Sequence, residues 1–276
     1  MALFSGPLAY LTDGAPSSLS AFPEVASFAQ AIGSTAIVAR IGRSPNGDDQ
    51  PDSRFVAALA AHGGETLVVT VPRKRIGAEL ATLQELRGGA LALLPHRRRG
   101  LARLLIGTTY ERLMRETRLP LLALPNDGKI GTVRRVLFPA DLAPRSLPVF
   151  DQTVALCRDL DADLVVLHAY GTDQLLPSEV DMERRMAAQN PLELFNVHKQ
   201  QIAELVERAT IAGVRATAAT AEGRAHVQIL AHTAANPIDL VVMATHGIRS
   251  AEDVLQGSTT VRVVQRAPVP VLVMRA

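Results

Sequence analysis

The chain has 276 residues, 47% hydrophobic and 20% charged, with 19 Gly, 17 Pro, one Cys and no Trp, which excludes intrinsic disorder and collagen-like or low-complexity classes. A net charge of +2, from 29 Lys+Arg against 27 Asp+Glu, is too small to make the whole molecule a polyanion binder. A single cysteine cannot form an internal disulfide and no apolar run approaches the ~18 residues of a membrane span, so a soluble protein of the reducing cytoplasm is expected.

The first element, in PLAYLTDGAPSSLSAF, is a β-rich run ending at Asp13 that leads into a helical pattern of Phe22, Val25, Phe28 and Ala29. The strand STAIVARI follows; it lacks the alternation of a half-wet strand and reads as buried on both faces. From residue 73 to 118 the chain is basic, with eleven Lys and Arg (Arg97, Arg98 and Arg99 among them) against four Glu. An anion-binding surface is one reading. A solvated charged face is the commoner arrangement, and without interleaved aromatics nucleic acid is not expected. Within this stretch GGALALLPHRRRGLARLLIGTTYERLMRETRLPLLALP reads as strand, loop, helix, strand.

Pro, Asn, Asp and Gly then cluster between Pro125 and Thr132, the signature of a join. Beyond it RRVLFPADLAPRSLPVF answers the opening run, with Asp141 matching Asp13. The helical pattern of Phe150, Val154, Leu156 and Leu160 encloses Cys157, which reads as a buried structural thiol. The strand ADLVVLHAY follows, and then an irregular stretch, GTDQLLPSEVDMERRMAAQNPLE, open to reading as a surface excursion or a lid.

The last segment, PIDLVVMATHGIRSAEDVLQGSTTVRVVQRAPVPVLVMR, repeats the layout of residues 88–125. His96 matches His246, Gly107 matches Gly257 and Thr108 matches Ser258, all at one offset of 150 positions. The expected fold class is therefore α/β: two tandem doubly wound parallel-sheet domains, residues 1–127 and 133–276, with right-handed crossovers. Residues 1–127 hold 14 basic and 11 acidic groups and the remainder 15 and 16, so the near-neutral total conceals a basic first half.

Chemistry concentrates in Met243-Ala244-Thr245-His246-Gly247, then nine residues, then Gly257-Ser258-Thr259-Thr260. Two glycine-containing turns at the carboxyl end of a strand sit where open α/β sheets bind ligands. Glycine beside a helix N-terminus lets backbone N–H groups approach an anion, and the hydroxyls of Ser258 and the threonines add donors. Phosphate binding is one reading and ordinary helix capping the other. The seven histidines show no ligand spacing, so no metal site is expected and hydrogen-bonding histidines are favoured. No phosphate-binding GxxxxGK[ST] loop or G-x-S-x-G elbow occurs.

G-x-x-G, nine residues and G-[ST], followed by APVPVLVMR, resembles the universal stress protein family, and both halves share its layout. The resemblance implies a five-stranded sheet of order 3-2-1-4-5 in each domain, as in the adenine nucleotide alpha hydrolase-like fold, and ATP, with Mg²⁺ arriving alongside it, as ligand. Carried over, Pro139, Ala140 and Asp141 would lie beside adenine and ribose, with Asp141 accepting from a ribose hydroxyl and Ala169 offering backbone groups to the adenine. Met243, Ala244, His246 and Gly247 would form the first phosphate turn, and Gly257, Ser258, Thr259 and Thr260 the second. Ala244 departs from the family glycine, a methyl that is tolerable at negative φ and costly at positive φ. In the first half Leu94 and Arg97 replace both early glycines, so that copy is expected not to bind ATP in the usual way.

The function this implies is a stress-response sensor or regulator that binds ATP in its second domain without efficient turnover, no catalytic residue being identifiable. The alternative is a nucleotide-free interaction module. The apolar last strands, LPLLALP and VPVLVMR, are expected to pair the two domains as an intrachain pseudo-dimer, with a symmetric homodimer and an unidentified protein partner beyond it.

Overall fold

Short Val-, Leu- and Ala-rich runs, most of them closed by Pro, Gly or Asp, alternate with helical patterns, and the computed structural model assembles them around one sheet. It describes residues 4, 6–12, 20–41, 68–71, 89–94, 110, 113–114, 117, 119–170, 191–245 and 259–276. In the first half these are β1 (Leu8–Thr12), α1 (Phe22–Ala31), β2 (Ala36–Ile41), β3 (Val68–Val71), β4 (Ala90–Leu93) and β5 (Leu121–Ala123). The second half holds β6 (Arg135–Pro139), a 3-10 turn (Pro144–Ser146), α2 (Leu147–Leu160), β7 (Asp163–Tyr170), α3 (Pro191–Ile211), β8 (Ala216–Glu222), α4 (Ala225–Ala235), β9 (Leu240–Thr245), α5 (Thr259–Arg266) and β10 (Val271–Arg275). Helix α3 starts at Pro191, within the stretch whose sequence reads as irregular.

The strands form a 10-stranded sheet of order β3-β2-β1-β4-β5-β10-β9-β6-β7-β8. Each half reads 3-2-1-4-5 in its own numbering, and every pairing within a half is parallel. The halves meet where β5 and β10 pair antiparallel, with Leu122 opposite Leu272. This joins the two terminal strands that the sequence marks as apolar edges.

Side chains alternate across the sheet, as a period of two requires. Leu8, Tyr10, Val136, Phe138, Leu164 and Val166 enter one apolar layer, closed by α1, α2 and α3. Ala9, Leu11, Leu137, Val165 and Leu167 enter the other, which α4 and α5 cover through Ile229, Val263 and Val264. Leu122 and Leu272 share the first layer, and Leu121 and Val273 the second, so both layers run unbroken across the seam. Cys157 lies wholly buried in the first layer, where burial and the nearby Asp163 carboxylate push its thiol pKa up to about 12.

The join between the halves is held by carboxylates. Gly128, at φ 71°, closes a turn by donating its N–H to the Pro125 carbonyl at 2.9 Å. Downstream, Glu24 Oε2 accepts from the N–H groups of Ile130 and Gly131, each at 3.0 Å. Asp239 Oδ2 accepts from Arg134 and Arg135, each at 2.8 Å. One acidic side chain from each half thus binds the peptide that connects them. Among the described residues, no helix is long and apolar enough to cross a membrane.

Candidate functional site

In an open α/β sheet the crevice for ligands opens where the chain leaves one strand for neighbours on opposite sides. In the second half that point is β6, which lies between β7 and β9. Leu137 pairs with Val241 and also with Val165, so the three strands run in register toward the same edge. There β6 delivers Pro139, Ala140 and Asp141, β7 delivers Ala169, and β9 delivers Met243 and Ala244.

Asp141 is exposed, and its carboxylate organises the loop that follows. Oδ1 accepts from the Ala143 N–H at 3.0 Å and Oδ2 from the Ser146 hydroxyl at 3.0 Å, which fixes the entry to α2. Between them Leu142 adopts φ 58°, the left-handed region that non-glycine residues pay roughly 1–2 kcal/mol to enter. The strained residue lies immediately beside the candidate ligand carboxylate, the kind of place where strain accompanies function.

Ala244 resolves the question its methyl raises. It lies within β9, where Met274 is its partner on β10, and the described non-glycine residues at positive φ are Leu142 and Asp161. Its backbone is therefore extended, and the methyl costs no conformational strain. Half-buried, it packs against the same apolar layer as Leu94, its counterpart in the first half. Met243 is a strand residue too, with its side chain buried in the opposite layer, so only its backbone can face a ligand. Thr259 and Thr260 open helix α5, with Thr260 buried and Thr259 half-buried. His246, Gly247, Gly257 and Ser258 lie outside the described residues, as do Asp13, Arg97 to Arg99, Gly107 and Thr108 of the first half.

A histidine pair that the sequence does not reveal underlies the site. Ala140 donates its N–H to the Leu167 carbonyl at 2.8 Å, and its own carbonyl lies 2.9 Å from His168 Nδ1. A carbonyl only accepts, so Nδ1 of His168 carries the proton. In the neutral ring Nε2 is then the acceptor, and it takes the proton of His198 Nδ1 on α3 at 3.3 Å. The rings meet edge to face with centroids 4.8 Å apart. Burial holds the His198 pKa below its ordinary 6.5, because the imidazolium is the form that loses hydration. The signal that could have pointed here is one polar residue, His168, inside the apolar run DLVVLHAY, since a buried imidazole must find partners.

A groove of about 460 Å³ opens beside this site, between α2 and α3. Ala140 and Asp141 form part of its lining, whereas Ala169, Met243 and Ala244 do not. The groove therefore adjoins the strand-end crevice without coinciding with it. Among the described residues no cluster of three or more His, Cys, Asp or Glu is placed to hold a metal ion.

A family model described as "Universal stress protein family" matches residues 132–275, just over half of the chain. Universal stress protein YxiE of Bacillus subtilis (strain 168) is 26% identical over 145 residues, 51% of this chain and 98% of that protein. A universal stress protein from Archaeoglobus fulgidus shares the fold over 99% of this chain and 97% of its own, with a TM-score of 0.71 at 14% identity. A family member from Arabidopsis thaliana solved with AMP bound matches over 51% of this chain and 91% of its own, with a TM-score of 0.35 at 16% identity. The chain belongs to the universal stress protein family.

Proposed function

We propose that the second half of this chain binds an adenine nucleotide, ATP in the first instance with Mg²⁺ alongside, and acts as a cytoplasmic sensor or regulator of the stress response. The chain is read as two units, residues 1–127 and 133–276, of which the second carries the ligand. The observation that supports this is the meeting, at the switch point of one sheet, of an exposed carboxylate with the end of β9. Asp141 emerges beside β9, whose Ala244 keeps an extended backbone in spite of its methyl.

In this reading Asp141 accepts from a ribose hydroxyl while remaining the acceptor for Ala143 and Ser146. The Ala140 and Ala169 backbones border the adenine. The N-terminal turn of α5, with Thr259 and Thr260, and the glycine turns that precede it receive the phosphates. The first half, with Leu94 packed against the apolar layer, supplies an assembly partner for the second.

Calorimetric titration of ATP into the intact chain tests the reading. A Kd tighter than about 100 μM, lost in Asp141→Ala and in Gly257→Val, is expected. No heat at millimolar nucleotide would overturn it and leave the interaction-module reading in its place.

A further inference from the structure

The groove between α2 and α3 is not accounted for by nucleotide binding, and its lining is distinctive. Phe138 and Phe150 lie beneath it as an edge-to-face pair with centroids 5.3 Å apart. Leu142 and Leu147 form the α2 side, and Leu205 and Ile211 the α3 side. Leu147 is 37% exposed and Ile211 80%, so apolar surface stands open at the groove. Its volume of about 460 Å³ falls within the roughly 300–1,000 Å³ usual for small-molecule sites.

The polar groups give the ligand a sign. Glu204 and Glu207 stand exposed on the α3 rim, and Asp141 borders the groove from the other side. The lining cation, Arg208, is already clamped by Asp151, with Nε to Oδ1 and Nη2 to Oδ2 both at 2.6 Å. Its charge is thereby compensated, and among the described lining residues Glu204 and Glu207 set the field at the α3 rim. An organic anion would meet repulsion there. A cation with an apolar body would place the body on Leu142, Leu147, Leu205 and Ile211 and the charge between the two glutamates.

We infer that this groove is a second ligand site, specific for a small organic cation: an ammonium group on an aromatic or alkyl body. The inference does not rest on nucleotide binding, since only Ala140 and Asp141 border both places.

The test is a calorimetric and ligand-observed NMR titration of the intact chain with 4-phenylbutylamine, and with 4-phenylbutyrate as the probe of equal body and opposite charge. The amine is expected to bind with a Kd of about 1 mM or tighter, and the carboxylate at least about tenfold more weakly. The exposed double substitution Glu204→Gln/Glu207→Gln should weaken the amine by about fivefold or more, and Ile211→Arg should abolish its binding. Both variants should retain the parent circular dichroism and the parent response to ATP. Equal binding of the two probes, no binding of the amine at 10-fold the expected ~1 mM, or unchanged affinity in the double variant would each overturn the inference. An ATP titration run on the same samples reports on the nucleotide reading separately.

Discussion

Replacing Asp239 by Ala removes the acceptor that holds the start of β6. Its Oδ2 takes the N–H groups of Arg134 and Arg135, both at 2.8 Å. A hydrogen bond to a charged partner contributes about 1.5–3 kcal/mol, but the two N–H groups do not lose equally. Arg134 is exposed and regains water, whereas Arg135 is half-buried at the head of a strand and is less easily rehydrated. The loss should therefore approach that of one charged bond, about 2 kcal/mol. In urea denaturation at pH 7 this appears as a lower midpoint at unchanged slope, and in calorimetry as a fall in Tm of roughly 4–8 °C. Asp239→Asn keeps an acceptor oxygen without the charge and should lose about half as much. If Asp239→Ala lay within about 0.5 kcal/mol of the parent, the carboxylate would be ornamental and the connecting peptide held by packing alone.

Three further expectations follow from buried groups. Tyr110 is 5% exposed and its hydroxyl has no hydrogen-bond partner among the described residues, so Tyr110→Phe should raise stability by about 1 kcal/mol in urea denaturation; a loss would show that the hydroxyl is paired. For His198, held below 6.5 by burial, the unfolded chain binds the proton more readily, so stability should decline as pH falls from 6.5 toward the folded value and level off beneath it. His232 is lowered for the same reason and adds to that decline, and His198→Gln should flatten the slope; an unaltered slope would remove His198 from the account. Cys157, buried and with its thiol pushed up to about 12, should react with iodoacetamide only as fast as the chain unfolds, and labelling of the native protein at the rate of an exposed thiol would contradict its placement.

The features of this fold that were legible in the sequence are those written locally. The β-rich run that closes just before Asp141, the helical spacing of Phe150 and Val154, and the apolar character of LPLLALP and VPVLVMR all follow from neighbours in the chain. The pairing of β5 with β10 was legible for a related reason, because two apolar edges on one molecule cover one another. The site divides along the same line. Residue types and spacing pointed to Asp141 and to the glycine turns, but whether the Ala244 methyl is tolerated depends on a backbone angle that the strand β9 sets. His198 meets His168 across 30 positions without any periodicity to mark the contact. The groove needs α2 and α3 side by side, and the sequence reads the start of α3 as irregular.

The seam between the halves bears on how the two copies could change. In a symmetric pair of identical chains, a contact made by one residue is necessarily made again by its twin. Here Arg275, at the end of β10, donates from Nη2 to the Met114 carbonyl at 2.8 Å, across the line where the halves meet. At the offset of 150 its counterpart is Pro125, which has no donor, so the bond is made on one side alone. Carrying both strands on one chain also makes their association independent of protein concentration, since the tether sets how often they meet. Dilution sufficient to dissociate a pair of free subunits leaves this sheet whole. Relieved of the demand that every change suit both sides of the join, the first copy could carry Leu94 and Arg97 at both early glycine positions while the second kept Gly247.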